Sequence, residues 1–443
     1  MQRTNVCGWC ALGTGLIGVM SAAGGEIRYR VIEIAPSAEF AIPNAINDSD
    51  QITGATYVNS NSQQPFLYSD GVFQDIKGIP GNFNSGEAIN NSAQVAGWKY
   101  TMGVIMPEAF LWTNGQYQGL GRLGGRYSYG YGMNNAGDVV GYYYSEENSF
   151  VPQAFAYRNG VMRDIGQGVA RDVNDAGLIV GGSADSSFGT AVVWEPSGDG
   201  WVRREIGIGT IRAVNAAGTL AVGEGEPETW PAPATYWTRL NDGSWEATNI
   251  TDPSSTDFAF MYGVNNSGQM VGAKFDPESC FNEGFIFEDG QLTSLTDVID
   301  SGLGLTILEP AGINEAGHIA AFAIDQEFYS HAVLLVPMEL SMLGPRPGIA
   351  GQVNTLIATG ATPGARVYFT YGVGAGSTNV PGCPGLSVDI RSAALAGSTL
   401  ADANGDARLD TNVPRTARGR QVLLQAVEQE NCVRSRLALH TFR

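Results

Sequence analysis

Gly132-Met133-Asn134-Asn135-Ala136-Gly137-Asp138-Val139-Val140-Gly141 is the stretch on which the fold turns, because it recurs. As an apolar residue, Asn, a short turn and an apolar strand start, the pattern returns at Ile46-Asn47, Ile89-Asn90, Met133-Asn134, Val173-Asn174, Val214-Asn215, Val264-Asn265 and Ile313-Asn314. The seven Asn residues lie 40 to 50 positions apart. A period in that range marks a repeat architecture.

Backbone needs explain the motif. Gly stands three residues after the Asn at Gly137, Gly177, Gly218, Gly268 and Gly317, with Asp50 and Ala93 in that slot in the first two repeats. A hairpin turn with positive φ wants Gly there. The Asn side chain can bond backbone groups two residues on. These residues are therefore expected to be structural. A second Gly follows inside the next strand at Gly54, Gly97, Gly141, Gly181 and Gly272, which signals close backbone approach. The fifth repeat has Val222 there and Gly223 one residue late, which reads as a bulge, and the seventh has Ala321.

The second half of each repeat is strand, tight turn, strand. Ala109-Phe110-Leu111-Trp112-Thr113-Asn114-Gly115 and Ala154-Phe155-Ala156-Tyr157-Arg158-Asn159-Gly160 are the clearest copies, and Asn-Gly between such runs is a hairpin signal. Four short strands per unit predict a β-propeller blade. The chain ends complement one another. Tyr29-Arg30-Val31-Ile32-Glu33-Ile34 looks like only the last strand of a repeat, and His331-Ala332-Val333-Leu334-Leu335-Val336 like only a third strand. Sharing one blade would leave no open edge, whereas a solenoid would need caps. The expectation is an all-β chain, with a seven-bladed β-propeller over 24–337 closed by N- and C-terminal strands sharing a blade.

The Ile-Asn-Asn-x-Gly-x-Val-Val-Gly motif and the Ala-Phe-Leu-Trp-x-Asn-Gly segment resemble the HAF-type extracellular repeat proteins, over roughly residues 28–336. The chain departs at the His-Ala-Phe triplet, reading Glu108-Ala109-Phe110 and Gln153-Ala154-Phe155, and only His331-Ala332-Val333 keeps the His. The resemblance implies export and a propeller-like fold. It brings no substrate or catalytic residue.

After Val336-Pro337 the period stops. Residues 338–348 read as a linker and 349–443 as a small β-sandwich of short strands separated by turn signals. Cys383 and Cys432 both lie in this module and are expected to pair. Cys280 is then odd and reads as a small buried apolar residue. Residues 1–23 read as a signal peptide: Arg3 is its positive end, Val6 to Met20 its apolar run, and Ser21-Ala22-Ala23 its cleavage site. Cys7 and Cys10 would leave with it. The expected location is extracellular or at the cell surface, with no transmembrane segment.

Composition narrows the function. Of 443 residues, 43% are apolar and 16% charged, and the net charge of −19 excludes a nucleic-acid binder of the usual basic kind. The histidines His318, His331 and His440 have no metal-ligand spacing, and there is no Gly-x-Ser-x-Gly elbow or P-loop. Asp402-Ala403-Asn404-Gly405-Asp406 lacks EF-hand spacing and reads as a turn. No catalytic residue, metal or cofactor is expected. Glu146, Glu147, Glu224, Glu226 and Glu228 read as loop carboxylates. Tyr127, Tyr129 and Tyr131 alternate on one strand face, with Tyr142, Tyr143 and Tyr144 nearby, and form a candidate platform for sugar rings or peptide side chains. The leading expectation is an exported, monomeric, non-enzymatic binding or interaction protein whose ligand is a glycan or a protein. The alternatives are a polysaccharide-acting propeller enzyme using loop carboxylates, and a structural component of the cell surface or matrix.

Overall fold

The computed structural model describes residues 29–443 except 36–39, 60–61, 102, 104, 147–150, 184–188, 226–231, 252–257, 277–278, 339, 384, 403–404 and 431. The expected signal peptide, with Cys7 and Cys10, lies outside the described residues. Among those described there is no α-helix; Ser301–Leu303 and Arg415–Ala417 are short 3-10 turns in an otherwise β chain. The chain forms two compact units, one of residues 31–296 and 301–336, the other of 337–443 with 297–300 and 29–30.

The first unit is built mostly from four-stranded antiparallel sheets, and its first two repeats are joined into one eight-stranded sheet by a parallel pairing of Gln63 with Phe83. In the third repeat, Tyr127–Met133, Val139–Tyr144, Gln153–Arg158 and Val161–Gln167 pair in chain order. The last sheet is Thr306–Ile313, Ile319–Ile324 and Ser330–Pro337, and its fourth strand is Tyr29–Glu33.

Successive sheets bury their faces on each other. Alternate residues of a strand point to opposite faces. Ala109 and Leu111 pack on Phe155 and Tyr157 of the next repeat, while Phe110 packs with Leu67 of the preceding one. Ala154 and Ala156 in turn meet Val192 and Trp194. A small Ala on one face and a large ring on the other lets sheets approach closely without voids, and each fully buried ring contributes roughly 1.5–3 kcal/mol. The same arrangement sets Ala332 and Leu334 against Phe66 and Tyr68.

The Asn turns adopt the expected geometry. Asn134 Oδ1 accepts the N–H groups of Ala136 (3.1 Å) and Asp138 (2.9 Å), and Gly137 has φ 81°. Gly177, Gly218, Gly268 and Gly317 are likewise positive, and so are Asp50 (φ 60°) and Ala93 (φ 57°). Asn134 Nδ2 donates to Asp138 Oδ2 and to the main-chain oxygen of Asn174, 40 residues away. Asn47, Asn90, Asn174 and Asn265 donate in the same way to the Asn of the following repeat, and Asn314 donates to Asn47. Asn215 donates to Thr219 Oγ1. All seven side chains are at most 6% exposed, so their satisfied hydrogen bonds matter to stability.

A register slip recurs between the first and second strands. The pairing skips Asn44, Glu87, Tyr131, Arg171, Arg212, Tyr262 and Ala311, each the third residue before its repeat Asn. Every first strand therefore carries a β-bulge. The strand glycines follow from it. A Cβ on Gly141 would stand 1.8 Å from the Tyr129 carbonyl oxygen, and one on Gly97 1.9 Å from that of Ser85. Gly223 corrects the sequence reading. It pairs with Ile211 just as Gly141 pairs with Gly130, so it is not itself a bulge. It comes one residue late because its turn is longer: the Asn215 N–H reaches Leu220 O, where that of Asn134 reaches Asp138 O. In the seventh repeat, Ala321 accompanies a second register slip between Ile307 and Glu309.

The second unit has a three-stranded sheet of Ser341–Arg346, Val353–Thr359 and Ala407–Asn412. A five-stranded sheet holds Arg366–Gly372 and Gln421–Glu428 at its centre. Leu356 and Ala358 of the first sheet and Val367, Phe369 and Leu424 of the second share one core. The segment expected to be a linker, 338–348, contains Ser341–Arg346. Pro345 is tolerated there because the strand lies on a sheet edge, where a missing donor costs little. Cys383 and Cys432 form a disulfide. Cys280 is corrected too: it is half-buried in a turn at φ 61° and is not a free thiol, so it is no core residue.

Candidate ligand-binding cavity

The bulges build the site. An extra residue in one strand cannot take part in the ladder, and its side chain is re-aimed. In the first unit all seven bulged residues line one cavity of about 270 Å³: Asn44, Glu87, Tyr131, Arg171, Arg212, Tyr262 and Ala311. A second cavity, of about 170 Å³, is lined by the Asn turns together with Asp48, Asn91, Asn135, Asp175 and Glu315. Ile46, Ile89, Met133, Val214 and Ile313 border both, as an apolar collar, along with Asp172.

The acidic groups of the larger cavity are held in place. Trp98 Nε1 donates to Glu87 Oε1 at 2.8 Å. Burial pushes the Glu87 carboxyl above its ordinary range, opposed by hydrogen bonds from Ser85 and Trp98 and by the Arg171 charge. Asp172 is also raised by burial, against the N–H groups of Val173 and Val214 that it accepts. Arg212 pairs with Glu224, whose carboxyl is raised by burial and pulled back by that arginine. Arg171 differs. Its Nε is buried without a hydrogen-bond partner, and its guanidinium stands 4.9 Å from the Tyr131 ring centre.

An aromatic wall runs into this cavity. Tyr131 lines it. Tyr129 stacks near Tyr131 (6.5 Å, 10°) and on Tyr142 (5.1 Å, 19°), and Trp98 of the preceding repeat meets Tyr129 edge-on. The rings are half-buried. Burial raises the Tyr129 hydroxyl to about 12, so it remains a neutral donor and acceptor. Tyr127 stands apart from the stack, edge-on to Tyr144. The structure thus brings Tyr129 and Tyr131 together and adds Tyr142 and Trp98.

The expected loop carboxylates fare differently. Glu224 ends the strand Leu220–Glu224 and is bound to Arg212, which corrects its reading as a loop residue. Glu146 is exposed, and Glu147, Glu226 and Glu228 lie outside the described residues. Asp402 and Asp406 bond each other across a turn, with Gly405 at φ 78°. His318 contacts Asp50 (2.7 Å), and His331 contacts Glu33 (3.0 Å) and Asp325 (3.3 Å).

Sequence reasoning missed Glu87, Arg171, Arg212 and Tyr262. One signal could have found them. The residue before each repeat Asn is always apolar, but the third residue before it is polar or aromatic in every repeat except the last.

No family model matches the chain, and no curated protein matches it. Similar solved structures include a fungal alcohol oxidase of the AA5 family in complex with copper, at 11% identity and TM-score 0.40 over 94% of this chain and 99% of that one. TolB from Acinetobacter baumannii matches at 10% identity and TM-score 0.35, over 55% of this chain and 65% of that one. An acylaminoacyl peptidase from Pyrococcus horikoshii matches at 10% identity and TM-score 0.40, over 72% and 58%. Likenesses this distant carry no argument about what the cavity holds.

Proposed function

We propose that this protein is an exported, non-enzymatic binding protein whose first unit is a seven-bladed β-propeller of HAF-like repeats, closed by N- and C-terminal strands that share a blade. Its second unit is a small β-sandwich. The sheet that joins Tyr29–Glu33 to Ser330–Pro337 and the bond from Asn314 to Asn47 support closure. Export is supported by the signal-like residues 1–23 and by the Cys383–Cys432 disulfide, a bond of oxidising compartments.

One observation carries the binding reading: a half-buried wall of Trp98, Tyr129, Tyr131 and Tyr142 leads into a polar cavity of about 270 Å³. Such a surface stacks flat apolar faces and presents hydroxyls to polar edges, which suits a glycan or a peptide segment. A glycan array with the mature protein, with and without calcium, tests it. Specific binding that falls on Tyr129→Ala substitution is expected. Absence of binding there, together with an empty pull-down from cell-surface extracts, would sink the reading and favour a structural role.

A polysaccharide-acting enzyme is the second reading. Its support moves from loop carboxylates to the cavity, where burial raises the Glu87 carboxyl toward the range of a general acid. Hydrolysis of any polysaccharide that Glu87→Gln abolishes would favour it.

A further inference from the structure

We infer that the cavity of the first unit is a carboxylate site, with Arg171 as the anchor for a single acidic sugar residue at the end of a glycan. This rests on the binding reading above.

The argument begins with an imbalance. Arg212 is neutralised by Glu224. Arg171, one repeat earlier at the equivalent bulge, makes no ion pair or hydrogen bond among the described residues, and its Nε is shielded from solvent. A guanidinium denied both water and a partner at one of its donors is left with unmet capacity. The fork of an arginine matches a carboxylate in two parallel hydrogen bonds. Tyr131, against its face, and Tyr262, on the same cavity wall, bring phenol groups suited to neutral hydroxyls, and Asn44 adds an amide.

The surroundings limit the anion to one charge. Glu87 and Asp172 line the same cavity. A dianionic phosphate would be repelled by them more strongly than a monoanion, which can face Arg171, unpaired among the described residues. The net charge of −19 also disfavours a polyanion, which would meet repulsion along its length. A neutral glycan ending in one uronic acid satisfies both limits. The tyrosine wall continuous with Tyr131 gives its pyranose faces a stacking surface.

The test is calorimetric titration of the full chain with oligosaccharides ending in glucuronic or galacturonic acid. Their methyl esters, the corresponding neutral oligosaccharides and inorganic phosphate serve as comparison probes. The acidic probes are expected to bind at least about ten-fold more tightly than esters or neutral sugars, the worth of a charge-assisted hydrogen bond. Arg171→Gln should remove that preference, bringing acid, ester and neutral probes to similar affinity. Arg171→Lys should keep part of it, since charge remains but the fork is lost. Arg171 makes no hydrogen bond or ion pair among the described residues, so its variants are expected to fold, checked by an unchanged melting profile. Equal binding of acid and ester, tighter binding of phosphate, or a preference that survives Arg171→Gln would overturn the carboxylate site. Neutral sugars bound through Tyr129, without acid preference, would overturn it and leave the binding reading standing.

Discussion

Asn314 Nδ2 donates to the main-chain oxygen of Asn47 at 3.0 Å, across 267 residues of chain. Beside it Asp50 Oδ1 accepts from Asn314 and contacts His318 Nδ1 at 2.7 Å. The last repeat thus makes to the first the same contact that Asn134 makes to Asn174.

If this joint holds the first unit together, Asp50→Ala and His318→Ala should be coupled. A double-mutant cycle in urea is expected to give about 0.2–1 kcal/mol, because the pair is partly exposed. Strictly additive costs would show that the contact contributes nothing.

Asn134 separates a turn role from a bridging role. Asn134→Asp keeps the acceptor for Ala136 and Asp138 but loses the donor to Asn174. It also sets a second carboxylate against Asp138, so it should destabilise by more than Asn134→Ala, itself expected to cost about 1–3 kcal/mol. A harmless Asn134→Asp in denaturant unfolding would reduce the residue to a turn former.

Backbone strain predicts opposite signs at two sites. Ala93 holds φ 57°, so Ala93→Gly should stabilise by about 0.5–1 kcal/mol as the steric cost of the Cβ disappears. Gly141→Ala drives a Cβ into the Tyr129 carbonyl and should cost about 1–3 kcal/mol or more. Melting temperatures that move the other way would refute the bulge account of the strand glycines.

Glu87 carries a pH signature. Burial raises its folded pKa above the ordinary 4.5, so the folded state binds its proton more tightly than the unfolded state. Stability from this group is present below about 4.5 and is lost as pH rises through the folded value. Glu87→Gln should therefore flatten the stability profile above that pH and gain on the parent protein toward neutrality. Parallel profiles for the two proteins would disprove it.

Local chemistry was legible in the sequence. The Asn turns, the positive φ at Gly137 and its equivalents, and the four strands of each repeat rest on bonds a few residues long, and their residue types show along the chain. The Cys383–Cys432 pair was legible because both residues fall in one small module. The tyrosine face was half legible: alternation placed Tyr129 and Tyr131 on one side but could not show that Tyr142 and Trp98 complete the wall.

What only the tertiary structure decided lies across space. The donor half of Asn47, Asn90, Asn134, Asn174 and Asn265 meets a carbonyl some 40 to 50 residues on, a distance fixed by how sheets stack and not by the turn itself. The cavity is of the same kind. Arg171, Glu87 and Tyr262 belong to different repeats, and each looks like an ordinary strand residue until a bulge turns its side chain inward. The sequence determined the repeating unit, because hydrogen bonds within a turn are local. Packing decided the site, because a cavity exists only where side chains from distant strands converge.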